Sequence, residues 1–227
     1  LWESSNRPRS IKAVKKLFET PLKGNGLQQL LDLISSPPLK ILWLTNESGE
    51  MVADIAIARF LAEIGHVVIL SVKESPFFGK ICLADTRTDP VLVKEFENAH
   101  FIHDHTISKN NLVKLLKHDK HLYVFSDGTR ENLNLLLVST TFSRIFKEVD
   151  LVISRGPEQK KRLIDTHFRF TQTIVNISSE DKKVRITQKL RHPEVIKFSH
   201  NQLEEKADTI IREMADAKSN GMTVMFY

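Results

Sequence analysis

"KILWLTNESGEMVADIAIARFLAEIGHVVILSV", Lys40 to Val72, is the stretch that decides the fold. It opens and closes on short apolar runs rich in strand-forming residues, "KILWL" (Lys40 to Leu44) and "HVVILSV" (His66 to Val72). Between them Met51, Val52, Ile55, Ala58, Leu61 and Ala62 recur at spacings of three and four. That spacing predicts a helix over Glu50–Ile64 with one apolar stripe to lay on a sheet. A strand, a helix and a second strand in this order make a βαβ unit with a right-handed crossover.

The same alternation continues downstream. Strands are expected at Ala99–Ile102, His121–Phe125 and Asp150–Ser154, and helices at Pro90–Asn98, Asn110–His118 and Asn134–Lys147. Beyond Arg155 the pattern loosens: "TQTIVNIS" reads as a sixth strand, "KVRITQKL" and "EVIKF" as strands or a hairpin, and "GMTVMFY" as a last strand. Gln202–Lys218 reads as a helix. Upstream, Ile11–Leu17 and Leu27–Ile34 carry helical spacing around the turn-rich "TPLKGNG", and "SSPP" marks a boundary. The expected organisation is a helical segment over 1–38 followed by a doubly wound, mainly parallel α/β Rossmann-like unit over 39–227.

Composition narrows the function classes. The chain has 227 residues, 41% of them hydrophobic, enough to fill a core. A net charge of +5 and a pI of about 9.2 favour anionic partners, phosphorylated metabolites before nucleic acid or acidic lipid. Cys82 is the single cysteine, so no internal disulfide forms; a small buried hydrophobe in a reducing compartment is expected. No apolar run approaches the roughly 20 residues of a membrane span, and "LWESSNRPRS" does not read as a signal peptide. A cytoplasmic protein without membrane contact is expected. The chain starts without Met and stops within "MTVMFY", as an excised part of something longer would.

In open parallel sheets ligands bind beyond the carboxyl ends of the strands, where loops diverge and helix N-termini converge. The first such end offers Asn46 and Glu47, hard oxygen donors of the kind Mg²⁺ or Mn²⁺ prefers, with Ser48 as a helix cap and Gly49 at the corner. A capped turn with acids near a helix N-terminus explains the same residues. "SDGTREN" places Ser126, Asp127, Gly128 and Thr129 in a turn that suits a phosphate cradle as well as a plain loop. His100, His103, Asp104 and His105 form a cluster without defined metal spacing, read as exposed loop histidines. The basic stretches Lys160–Arg162 and Lys182–Arg191 suit a nucleic-acid patch, but aromatics are only 7%, and solvated surfaces are the better reading. Nothing resembles a nucleophile elbow.

Three segments in order, "NESGEMVAD" (46–54), "KESPFFGKICLAD" (73–85) and "DLVISRGPEQ" (150–159), resemble the damage-control phosphatase family over about Lys40 to Leu163. The family's segments read approximately Asp-Asn-Ala-Gly-Glu-Ile-Val-Phe-Asp, then Lys-Gly-Gly-Pro with a following Asn-Asp, then Asp-Leu-Val-Ile-Ala-Lys-Gly. The resemblance implies a three-layer α/β/α sandwich with a short helical N-terminal part. It also implies a divalent metal (Mn²⁺, Mg²⁺, Co²⁺ or Ni²⁺) that activates hydrolysis of phosphorylated metabolites such as sugar phosphates. Carried over, Asn46 and Glu47 take the metal and direct the water, with Asp85 as a further carboxylate. Arg155 stands where the family has its phosphate-contacting lysine; with Lys80 and with Ser126, Asp127 and Gly128 of the turn read above, it is expected to meet the substrate.

The departures fall on the metal. Asn46 and Lys80 stand where the family has aspartates, and Glu47 where it has asparagine. The formal charge of the ligand set thus goes from about −2 to about 0, which weakens the hold on a dication. Two readings follow: an active metal phosphatase, or a degenerate anion-binding or regulatory module of the same fold. A methyltransferase-like domain binding a nucleoside cofactor ranks third, because Gly49 stands alone where a glycine-rich loop is wanted.

Overall fold

β1 (Lys40–Leu44) pairs in parallel with β2 (Val67–Val72) on one side, and everything else in the sheet is built outward from that pair. The computed structural model describes residues 26–36, 38–117, 121–166, 170–178 and 183–187, with the backbone of two further strands at 196–198 and 224–226. The other strands of the main sheet are β3 (His100–Ile102), β4 (Leu122–Ser126), β5 (Leu151–Arg155), β6 (Thr173–Ser178) and β7 (Lys183–Thr187). Their order is β3-β4-β2-β1-β5-β6-β7, parallel throughout except for the antiparallel β6–β7 pair. β8 (Ile196–Phe198) and β9 (Val224–Phe226) pair separately, in parallel. The expected helices Ile11–Leu17 and Gln202–Lys218 lie outside the described residues.

Alternation along each strand makes three layers. Ile41 and Trp43 of β1, Val68, Leu70 and Val72 of β2, Val124 of β4 and Ile153 of β5 face one side. There they meet α1 (Gly26–Ile34), α2 (Met51–Glu63) and α4 (Pro90–Glu95), which follows the single turn α3 (Asp85–Thr88). Leu42, Leu44, Ile69, Tyr123, Phe125 and Val152 face the other. That side is covered by α5 (Lys109–Leu115), α6 (Thr140–Glu148) and α7 (Gly156–Leu163). Covering both faces is what requires the central strands to be apolar at nearly every position. Among the described residues no helix is long and apolar enough to cross a membrane.

Three expectations shift. The helix foreseen over Asn134–Lys147 begins only at Thr140, because the Ser139 hydroxyl accepts the Phe142 N–H and caps it there. Ser48 does not cap α2; it opens a 3₁₀ turn (Ser48–Glu50) and its N–H donates to Gly79 O at 2.8 Å. On α2 the buried side consists of Met51, Asp54, Ile55, Ala58 and Leu61, whereas Val52 is about half exposed. A carboxylate has therefore been taken into the core side of the helix.

β1 is followed by β2 on one side and flanked by β5 on the other, so the strand order reverses between β1 and β5. The helix after β1 covers one face and the helix after β5 the other. Such a switch point leaves a crevice at the carboxyl ends of the two strands.

Candidate functional site

The crevice is lined by Thr45 and Asn46 after β1, Lys73, Lys80 and Ile81 after β2, Asp127, Asn132 and Leu133 after β4, and Glu158, Gln159 and Arg162 of α7. The loop after β2 is stitched over the β1 turn: Lys73 N–H donates to Ile81 O at 2.9 Å and Ile81 N–H to Asn46 O at 3.3 Å. Glu47 and Lys80 face each other as an antiparallel bridge. A Cβ on Gly79 would lie 2.7 Å from Glu47 Oε2, so the missing side chain at 79 leaves room for the Glu47 carboxylate.

That arrangement brings three sequence-predicted residues to one point. Lys80 Nζ donates to Asn46 Oδ1 at 2.6 Å and to Glu47 Oε1 at 2.5 Å, and it is largely shielded from solvent. An ammonium thus sits where two oxygen donors converge. With Lys80 extended in this way the enclosed space is about 30 Å³, enough for one or two water molecules.

Asp127 does not point a free carboxylate into the crevice. Lys73 Nζ donates to its Oδ2 at 2.5 Å and to Thr129 Oγ1 at 3.0 Å, while Asp127 Oδ1 accepts the Thr129 N–H at 2.8 Å. Ser126, buried, accepts the Gly128 N–H on its hydroxyl at 3.0 Å. The "SDGT" turn is thereby internally satisfied. Asp85 Oδ2 accepts the Cys82 N–H at 2.8 Å and so closes a turn ahead of α3. Cys82 itself is buried. Asp104 accepts the Thr106 N–H, and His103 meets Arg87. Among the described residues no three His, Cys, Asp or Glu side chains converge to hold a metal ion.

Arg155 departs most from expectation. Its guanidinium turns away from the crevice: Nη2 donates to Asp54 Oδ2 at 2.6 Å and lies 3.0 Å from Glu50 Oε2. Asp54 is fully buried, and that burial raises its pKa from 3.8 to about 7 despite Arg155, which opposes the shift; Glu50 adds to it. Arg155 therefore ties β5 to α2 rather than lining the crevice. Of the residues that α7 supplies instead, Gln159 has no role in the sequence reading and Arg162 enters it only as part of a solvated basic stretch. A signal was present: in "GPEQKKR" a helix starting at Pro157 puts Glu158, Gln159 and Arg162 on one side.

Two glycines sit next to crevice-bearing segments, and they separate strain from crowding. Gly128 has φ +80°, and a Cβ there would lie 2.8 Å from Ser139 Cβ; Gly156 has φ +79° but its nearest neighbour would be 3.8 Å away. Gly156→Ala is expected to lose about 1–2 kcal/mol from the left-handed backbone alone. Gly128→Ala should lose about 2–4 kcal/mol, since overpacking adds to the strain. Urea denaturation of both checks this; equal losses would mean that Ser139 yields without cost.

Comparison with known proteins bears on this geometry. A sequence model of the damage-control phosphatase ARMT1-like domain matches residues 3–218. The fold is similar to the crystal structure of a DUF89 family protein from Pyrococcus horikoshii, with a TM-score of 0.53 and 21% sequence identity. That match covers 74% of this chain and 48% of the archaeal chain, so it spans about half of that protein's length. No curated protein matches the sequence significantly.

Proposed function

Since the chain belongs to the damage-control phosphatase ARMT1-like family, a family of generally metal-dependent phosphatase-like domains, we propose that it is a member in which a lysine has replaced the metal. On this reading it binds a small phosphorylated metabolite, such as a sugar phosphate, at the switch-point crevice and does not hydrolyse it.

The observation that carries the proposal is the position of Lys80 Nζ, 2.6 Å from Asn46 Oδ1 and 2.5 Å from Glu47 Oε1. One carboxylate, one amide and one ammonium do not fit a hard dication, which needs anionic oxygens and no competing cation inside its coordination sphere. A dication there would face the ammonium at contact distance. An ammonium supplies positive charge to a phosphate but offers no coordination site at which a water is polarised into a nucleophile.

The side chains divide the work accordingly. Glu47 and Asn46 hold Lys80 extended across the crevice in the absence of ligand. A phosphoryl group competes for the same ammonium with charge-assisted hydrogen bonds. Lys73, held by Asp127 and Thr129, keeps the opposite wall in place.

The test is direct. Elemental analysis of the purified protein should find no stoichiometric Mn, Mg, Co or Ni, and p-nitrophenyl phosphate should remain intact with each metal added. Inorganic phosphate and ribose 5-phosphate should raise Tm, and Lys80→Ala should remove that rise. Turnover that disappears in Glu47→Ala would establish instead the metal-dependent hydrolase.

A further inference from the structure

The crevice is lined by three cations, Lys73, Lys80 and Arg162, and two of them are already engaged. Lys73 is bound to Asp127 and Thr129, and Lys80 to Asn46 and Glu47. Arg155, the residue at the end of β5, is spent on Asp54 and Glu50. Arg162 alone of the crevice cations has no hydrogen bond or ion pair among the described residues. Glu158, four residues earlier and also lining the crevice, is paired with Lys161 at 3.4 Å, and Asp165, three residues later, with Lys160 at 2.6 Å.

The helix wall that carries Arg162 is itself tied down. Gln159, three residues earlier and on the same side of α7, accepts the Arg155 N–H on Oε1 at 2.8 Å and donates from Nε2 to Thr45 O at 3.2 Å. These bonds fix the α7 wall to the ends of both β1 and β5. A guanidinium presents its donors in a rigid fork that matches two phosphate oxygens. An unpaired fork on a fixed wall, facing a crevice whose other cations must first give up a partner, is the group an arriving dianion meets at least cost.

We propose that Arg162 is the phosphate-recognising residue of this crevice, taking the phosphoryl group of a small phosphomonoester in place of the residue at the end of β5. The inference rests on the binding function proposed above and goes further by assigning the contact. In this chain the recognition charge has moved from the last residue of β5 to the second turn of α7. The displaced position, Arg155, acts as a structural tie between β5 and α2.

Titration calorimetry with ribose 5-phosphate, and with ribose as the uncharged control, tests the assignment on the wild type, Arg162→Gln, Arg162→Lys and Lys161→Gln. Arg162 lies on a half-buried helix side and makes no hydrogen bond or ion pair among the described residues, so its variants should fold; circular dichroism checks that they do. The expected result is binding of ribose 5-phosphate but not ribose. Arg162→Gln should weaken it by about 10- to 100-fold, the loss of a charged hydrogen-bond pair. Arg162→Lys should recover only part, since an ammonium lacks the fork, and Lys161→Gln should match the wild type. If the wild type binds and Arg162→Gln binds equally well, the assignment to Arg162 is wrong while the binding function stands. Equal weakening by Arg162→Gln and Lys161→Gln would reduce the effect to long-range charge and overturn it as well. If the wild type does not bind ribose 5-phosphate at millimolar concentration, the binding function falls and the assignment with it.

Discussion

Lys80→Asp is expected to create a divalent-cation site at the end of β1. Asn46 Oδ1 and Glu47 Oε1 already converge on a cation, at 2.6 and 2.5 Å from the Lys80 nitrogen. Removing the ammonium and adding a carboxylate gives two carboxylates and one amide, the composition that the family resemblance assigns to the metal site. The formal charge of the set moves from about 0 to about −2 in one substitution, which a hard dication requires. Two donors are positioned beforehand by the Ser48–Gly79 and Ile81–Asn46 backbone hydrogen bonds, so little ordering is left to the ion. The variant should bind on the order of one Mn²⁺ per chain after dialysis and gain thermal stability with added Mn²⁺ by mass action. The wild type should do neither. Lys80→Ala, with one carboxylate, should bind far more weakly. A variant that folds yet takes up no metal would mean that Asn46 and Glu47 converge on Lys80 alone and not on a general cation position.

The second large effect is a pH dependence of stability centred on Asp54. Burial raises its pKa from 3.8 to about 7, Arg155 opposing and Glu50 reinforcing the shift. A carboxyl that holds its proton more tightly when folded stabilises the fold at low pH. That contribution is lost as pH rises from about 4 through about 7, where the folded group must ionise. A shift of this size corresponds to on the order of 4 kcal/mol across that window. Asp54→Asn keeps the shape and an acceptor for Arg155 but cannot ionise, so it should lack this part of the pH dependence. The two proteins should be of similar stability near pH 4, and the variant should be the more stable by up to about 4 kcal/mol at pH 8. Urea unfolding at a series of pH values measures the difference, in which other titrating groups cancel. If the wild type gains on the variant as pH rises, the Arg155–Asp54 attraction outweighs burial.

The sheet was legible because its central strands must be apolar on both faces, and β1, β2, β4 and β5 are short apolar runs at regular intervals. The boundary of α6 was not. Leu135, Leu136, Leu137 and Val138 look like the start of an apolar helix, yet Leu136 and Leu137 are exposed and the Ser139 cap sets the start instead. In the crevice, Asn46, Glu47 and Lys80 were found through the order of three motifs, and the structure brings their side chains together. Arg155 lies away from the crevice because a guanidinium at a strand end has two directions open to it. The deciding fact is the position of Asp54, which lies three residues after Met51 and four before Ala58, on the inward stripe of α2. Reading that stripe as purely apolar hid the partner. Arg162 was passed over because a basic run looks solvated until its helix is placed, and the helix is set by the turn at Gly156.

Gln159 substitutes for a missing rung. The paired residues of β1 and β5 end at Trp43 and Ile153, after which the strands diverge into the crevice. Past that point the Gln159 amide spans the gap, accepting from the Arg155 backbone and donating to that of Thr45. A side chain that completes a ladder sets how far the fork can spread. The gap between the two strand ends is held at the width of one amide, and widening it breaks two hydrogen bonds, each worth about 1 kcal/mol. The α7 jaw of the crevice is therefore a fixed jaw, and any adjustment to the size of a ligand falls to the opposite side, where Lys80 reaches across on a flexible stem.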